Sequence, residues 1–338
     1  MAGMYENEFV EALRQGLSNI IHEWDLSSHC SVTTLNISEN ATFKAVDPQT
    51  GKPAILRVHR PGYHDIDEIE SELDWIHDLR RENVVVTPKP LPRADATAIG
   101  SMVAAGDVRH VVAFEFMSGA EPAAQDDKIV EGFNELGKIS ARLHLHARAW
   151  QRPENFRRTT WNFESMLGNA PLWGDWRDAL GLTADGKAIL EQTSAVLKKM
   201  LAEYGEGPER FGLIHADLRL ANLLVDGDRL GVIDFDDCGF SWFVYDFASA
   251  ISFFEDDPII PKLQDAWVAG YREIAPLSDE DVAAIPMFIM LRRMLLTAWV
   301  ASHAETPTAQ SLGSAFTDGT VKLAQTFLLQ HAGQGQPT

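Results

Sequence analysis

The chain has 338 residues, 45% of them apolar, with 29 Lys and Arg against 49 Asp and Glu, for a formal net charge of −20. That length exceeds one average domain and predicts two. The acidic balance excludes nucleic-acid binding through a basic face and docking on an anionic membrane surface. The two cysteines, Cys30 and Cys238, stand far apart with no metal or redox spacing, which fits a reduced cytoplasm.

The N-terminus from Met1 to Glu8 has neither a basic region nor an apolar core, so no signal peptide is expected. Phe9, Leu13, Leu17, Ile20 and Ile21 fall on one side of a helix over 6–24. Three strands follow at 31–37, 41–46 and 54–59, with turns at Ser38-Glu39-Asn40 and at 48–51. Residues 67–79 form an acidic amphipathic helix whose buried stripe is Ile69, Leu73, Ile76 and Leu79. Further strands are expected at 84–88, 101–105 and 110–117, and then Ser118-Gly119. Strands stop there and helices begin, so the domain boundary is placed between 118 and 119.

Ile129 to Trp150 is a long helix with Phe133, Leu136, Ile139, Ala141 and Leu143 inward. Its Leu143-His144-Leu145-His146 does not read as a metal site. Residues two apart on a helix point to different faces, so these are capping, surface or packing histidines. Trp161, Trp173 and Trp176 cluster in a segment bearing Gly and Pro, ahead of a helix at about 185–204. Three more helices fill 261–330. The apolar run from Val282 to Val300 is broken by Arg292 and Arg293 and reads as a buried helix rather than a membrane span. The tail from Gly333 to Thr338 is expected to be disordered.

The densest chemistry lies at Leu213-Ile214-His215-Ala216-Asp217-Leu218-Arg219-Leu220-Ala221-Asn222, followed by Gly231-Val232-Ile233-Asp234-Phe235-Asp236-Asp237. An apolar approach delivers a His and an Asp, and an Asn comes five residues later. A hairpin turning at Asp226-Gly227-Asp228 then ends in Asp234. Phosphoryl transfer from MgATP needs such a set. One carboxylate accepts the proton of the attacking hydroxyl; an amide and a second carboxylate hold Mg²⁺ against the phosphates. A turn-rich hairpin with solvated acids is the plain alternative, and the joint match of spacing and flanking strands weighs against it.

H-A-D-x4-N followed by I-D-F-D-D resembles the aminoglycoside phosphotransferase, choline kinase and homoserine kinase group of protein-kinase-like enzymes. That group writes H-G-D-x4-N where protein kinases write H-R-D-x4-N. The resemblance spans residues 30–300. It implies an α+β, bilobal protein-kinase-like fold, with an antiparallel-sheet N-lobe over 1–118 and a mostly helical C-lobe over 119–338. It implies an ATP- and Mg²⁺-dependent phosphotransferase acting on the hydroxyl of a small metabolite of amino alcohol, sugar or aminoglycoside type.

On this match Asp217 is the catalytic base and His215 orients its loop. Asn222 and Asp234 are the Mg²⁺ ligands, and Asp246 braces the loop. Ser38 belongs to the turn over the ATP phosphates. Arg57 is the phosphate-binding cation, with Lys44 and Lys52 as fallbacks, and Glu72 is its acidic partner ahead of Glu68. Backbone from Glu115 to Met117 would meet adenine. Trp161 and Trp173 read equally as core filling and as a wall of the acceptor pocket. Asp236 reads as a group near a second Mg²⁺ or the acceptor's amino group, or as a solvated acid.

The chain departs from the protein-kinase pattern in three places. The phosphate turn has no glycine, an Arg replaces the strand Lys, and Asp236-Asp237 replaces the glycine of D-F-G with its following residue. The last change leaves no glycine-dependent flip and predicts a fixed metal site. Two rivals remain, a protein Ser/Thr kinase and a non-catalytic nucleotide-binding regulator. Against the first, Cys238 to Asp246 is short and aromatic with only Ser241 as a Ser/Thr acceptor. A cytoplasmic monomer or homodimer with no nucleic-acid or membrane partner is expected.

Overall fold

The computed structural model describes residues 7–38 and 40–331. Met1 to Glu6, Glu39 and the tail from Ala332, with the stretch expected to be disordered, lie outside the described residues. The chain divides into two compact units. One runs to Gly119 and includes Gln151–Arg158 and Gly231–Asp236; the other holds Ala120–Trp150, Thr159–Leu230 and the remainder from Asp237.

In the first unit, α1 (Asn7–Ile20) continues into a 3₁₀ turn at Ile21–Trp24. Strands β1 (Ser31–Ile37), β2 (Ala41–Val46), β3 (Pro53–Val58), β4 (Ile99–Ala104) and β5 (Asp107–Glu115) make a five-stranded antiparallel sheet in the order β1-β2-β3-β5-β4. Along β2, Ala41, Phe43 and Ala45 are buried and the residues between them are not. That alternation marks one covered face. Leu13, Leu17, Ile21 and Trp24 cover it.

Helix α2 (Ile66–Arg81) starts at an Asp65 cap, with Glu68 closing a reciprocal capping box, a device worth about 1 kcal/mol. Its expected stripe of Ile69, Leu73, Ile76 and Leu79 is buried. Trp75 on this helix meets Phe235 edge-on at 5.4 Å, which ties the 231–236 segment to this unit. The strand expected at 84–88 is instead a single bridge between Val86 and Gly231. Pro88 and Pro90 remove amides that a ladder would need.

The second unit contains α3 (Ile129–Ala149), α4 (Phe163–Met166), α5 (Ala184–Tyr204), β6 (Phe211–Ile214), β7 (Leu223–Asp226), β9 (Gly239–Trp242), α6 (Tyr245–Ala250), α7 (Ile260–Ile274), α8 (Asp279–Ser302) and α9 (Pro307–His331). Strand β8 (Arg229–Val232) pairs with β7 as a hairpin, and β6 pairs with β9. Helices α3 and α7 cross at van der Waals distance. A Cβ on Gly270 would stand 1.9 Å from the carbonyl oxygen of Asn134, so only glycine permits the approach. Helix α8 is long and apolar enough to cross a membrane by length and composition, yet 72% of its apolar window is buried inside the protein.

Candidate active site

The second unit builds a rigid loop after β6. Its Ala216 takes a left-handed φ of 66°, a conformation that costs an L-residue about 1–2 kcal/mol. The loop is held there by its amides. Ala216 N donates to Asp246 Oδ1 at 2.8 Å, His215 N to Asp246 Oδ2 at 3.4 Å, and Leu218 N to Ser249 Oγ at 3.0 Å. Asp217 N in turn donates to His215 Nδ1 at 3.3 Å. His215 and Asp246 thus stand where the loop is oriented.

Behind Asp246 lies His144, with Nε2 at 2.9 Å from Asp246 Oδ2 and Nδ1 at 3.1 Å from the Tyr271 hydroxyl. Burial lowers the His144 pKa, against the pull of Asp246. In the neutral ring, Nε2 donates to the carboxylate and Nδ1 accepts from Tyr271. His144 is therefore a buried brace shared by α3, α6 and α7. Its neighbour at 146 is turned elsewhere, as two-residue helical spacing requires.

Asp217 is clamped at both oxygens. Oδ1 accepts from Arg292 Nη2 at 2.6 Å; Oδ2 accepts from Asn222 Nδ2 at 2.7 Å and from Arg219 Nε at 3.2 Å. The Asn222 amide nitrogen also donates to the Asp217 carbonyl at 2.8 Å, which turns the amide oxygen away from Asp217. Burial alone would raise the Asp217 carboxyl, but Arg219, Arg292 and His215 outweigh it and hold it below its ordinary value. With 8% of its surface exposed, Asp217 still reaches solvent.

Arg292 is 2% exposed. Besides Asp217 it bonds Ser252 Oγ at 2.9 Å and the Tyr245 hydroxyl at 3.3 Å, and its guanidinium lies 5.2 Å from the Trp173 ring. Its neighbour Arg293 faces elsewhere and pairs with Glu255 at 2.7 Å. Removing one partner of such a buried pair costs about 3 kcal/mol or more. Asp217 with a depressed carboxyl contributes stability above the unfolded carboxylate value of about 4, lost as pH falls through the folded value. In Arg292→Met the carboxyl rises. The expected result is a lower melting temperature and an acid limb of the turnover–pH profile displaced to higher pH. A limb that stays in place would show that Arg292 does not hold the ionised form of Asp217.

In the first unit, Arg57 on β3 is buried between carboxylates. Nη2 meets Glu72 Oε2 at 2.5 Å and Nη1 meets Asp234 Oδ1 at 3.2 Å. Burial opposes its charge, while Glu72, Asp236 and Asp234 raise its pKa. The structure thus brings together Arg57, Glu72 and Asp234. Glu68 is committed to the α2 cap, Lys44 Nζ lies over the Phe116 ring at 4.3 Å, and Lys52 is exposed. Asp234 has a left-handed φ of 63° and a side chain 46% exposed.

Ser38 N donates to the Asn40 carbonyl at 2.9 Å. The Glu115 amide donates to the Lys89 carbonyl at 2.8 Å, and its side chain pairs with Lys89; Met117 follows the end of β5. Asp236 is not a solvated acid. It is 5% exposed and accepts from Asn40 Nδ2 at 2.7 Å. Burial would raise its carboxyl; Arg57, His64, His59 and Arg158 instead hold it well below the carboxylate range.

Trp161 and Trp173 are both buried and meet edge-on at 5.3 Å. The Trp161 indole donates to the Asp237 carbonyl at 2.8 Å, and the Trp173 carbonyl accepts from Ser302 Oγ at 2.7 Å. Trp173 and Tyr245 both lie against Arg292, at 5.2 and 5.9 Å from its guanidinium.

A sequence model of the phosphotransferase enzyme family matches residues 32–277. The chain belongs to that family. The structure of the microcompartment-associated aminopropanol kinase is similar at 44% identity and a TM-score of 0.85, over 93% of this chain and 97% of that one. The complex of an amicoumacin kinase with AMP-PNP and Ca²⁺ shares the fold at 22% identity and a TM-score of 0.74, over 94% of each chain. Homoserine kinase from Sinorhizobium medicae is 30% identical over 226 residues, 65% of this chain and 64% of its own. This family member is an enzyme that transfers a phosphoryl group to the hydroxyl of a small molecule, on a protein-kinase-like fold.

Three residues that hold the candidate side chains in place escaped the sequence. Arg292 had a signal, because two arginines inside an apolar helix require buried acidic partners. His144 and Asn40 had none beyond being polar on an inward face and in a turn.

Proposed function

We propose that this phosphotransferase moves the γ-phosphoryl group of ATP to the hydroxyl of a small amino alcohol, with Asp217 as the base. The observation that carries the reading is the clamp on Asp217. Arg292, Arg219 and Asn222 fix both its oxygens, and a fixed, ionised carboxylate is what positioning a hydroxyl for in-line transfer requires. Asn222 offers an amide oxygen and Asp234 a half-exposed carboxylate, the hard oxygen donors that Mg²⁺ takes. These two residues would hold the ion. When bound, it neutralises charge on the phosphates.

Arg57, placed by Glu72, holds the non-transferred phosphates. Residues 1–118 carry nucleotide binding with Ser38 and the backbone from Glu115 to Met117, and 119–338 carry the acceptor. Asp246 and His215 keep the base in place, and Trp161 with Trp173 backs the acceptor side. The amino-alcohol class is supported by the 44% identity to an aminopropanol kinase over nearly the whole of both chains. An acidic surface also favours a cationic substrate.

ATP consumption with Mg²⁺ should be measured over amino alcohols, homoserine, sugars, aminoglycosides and a generic protein. The expected result is turnover of an amino alcohol with kcat/KM well above that of homoserine. Preference for a sugar or an aminoglycoside would overturn the substrate class but keep the reaction, and phosphorylation of protein alone would overturn both.

A further inference from the structure

Two of the chain's departures from the protein-kinase pattern meet in the structure. The turn between β1 and β2 lacks glycine, and Asp236 stands where D-F-G has its glycine. Asn40, from that turn, donates through Nδ2 to Asp236 Oδ2 at 2.7 Å, across 196 positions of sequence. The same side chain accepts at Oδ1 from the Arg60 amide at 3.1 Å, and its carbonyl accepts from Ser38 N at 2.9 Å. Asn40 is therefore bolted on three sides.

Asp236 is enclosed by cationic and imidazole groups. Its carboxylate stands 3.8 Å from Arg57 Nη2, 3.6 Å from His59 Nδ1 and 3.8 Å from His64 Nε2. Its main-chain oxygen accepts from Arg158, whose other terminal nitrogen donates to the Glu68 carbonyl at 2.8 Å. One buried carboxylate thus lies between the turn, the β3 cation and the loop that carries Asp234.

We propose that the Asn40–Asp236 hydrogen bond sets the conformation of the phosphate turn, which makes both residues positioning residues for nucleotide rather than acceptor or metal contacts. A glycine-rich turn closes over phosphate because its backbone is permissive. A turn without glycine samples fewer of those conformations, and its Asn40 is held by a side-chain bond to a charged, buried acceptor. Bonds to charged groups are the strong ones. The inference rests on the ATP reading given above.

The test has two parts. The first is hydrogen–deuterium exchange of the nucleotide-free protein, which reads the turn whether or not ATP is its ligand. Asn40→Ala should speed exchange across 37–41 and leave α2 unchanged. The second is steady-state kinetics of Asn40→Ala, Asp236→Ala and the double variant. Each single change should raise KM for ATP by about tenfold, and the double should do no worse than the larger single. The KM for acceptor and the Mg²⁺ requirement should stay within about twofold.

Asp236→Ala empties a buried charge site and stands to lose stability, so a reciprocal exchange guards the result. Asn40→Asp alone places two carboxylates together and should weaken ATP binding. Combined with Asp236→Asn it restores one donor and one acceptor and should recover KM. Unchanged exchange at 37–41 in Asn40→Ala, additive single effects, or a shift in acceptor KM with ATP KM intact would each overturn the proposal. A parent protein that binds no ATP would overturn the functional reading, while the exchange result still decides whether the two residues set the turn.

Discussion

Asp217→Asn is expected to keep ATP binding and to lose turnover by on the order of 10³-fold or more. The substitution preserves shape and removes the charge that accepts the hydroxyl proton. Its remaining oxygen can still receive Arg292, now 2.6 Å from Oδ1. Its new amide nitrogen would face Asn222 and Arg219, two donors at 2.7 and 3.2 Å. Some loss of melting temperature is therefore expected beside the kinetic loss. Calorimetric ATP titration with single-turnover transfer separates the two effects. Turnover at the parent rate would remove Asp217 from its role as base.

Asp234→Ala is expected to abolish the metal-dependent part of nucleotide affinity. Its side chain is 46% exposed and pairs with Arg57 at 3.2 Å. Arg57 keeps its 2.5 Å bond to Glu72 in the variant, so the first unit should fold. ATP binding titrated with and without Mg²⁺ reads the effect directly. Equal dependence on Mg²⁺ in parent and variant would show that another group holds the metal. The comparison with Asp236→Ala is informative, because the two acids stand two residues apart with opposite environments. Asp234 faces solvent, and Asp236 is enclosed by Asn40, Arg57 and Arg158.

The site was legible in sequence where its geometry is local. His215, Asp217 and Asn222 share one loop, and the hydrogen bond from Asn222 to Asp217 closes over five residues. The β3 cation and its acid were legible through the family resemblance, which implies a cation on the third strand and a Glu on the helix after it, and the structure pairs Arg57 with Glu72. The 84–88 segment misled because it is apolar and β-branched, yet with Pro88 inside it and Pro90 just beyond it makes one bridge.

What stayed hidden depends on long-range packing. Arg292 reaches Asp217 across 75 positions, His144 reaches Asp246 across 102, and Asn40 reaches Asp236 across 196. Each is a polar group whose meaning is set by the partner buried with it, and no spacing in the chain encodes that partner. The two tryptophans are similar. Composition placed them near a pocket or in a core, and only packing set Trp173 against Arg292.

By itself the sequence determined the reaction class and the loop proposed to perform it, because phosphoryl transfer needs few groups and three of the proposed ones, Asp217, Asn222 and Asp234, lie within one short stretch of chain. The tertiary structure decided how that loop is held. It supplied the clamp on Asp217, the His144 brace and the bond from Asn40 to Asp236. A buried charge or hydrogen bond is stable only with its partner in place, and that partner is brought by folding rather than by neighbourhood in the chain.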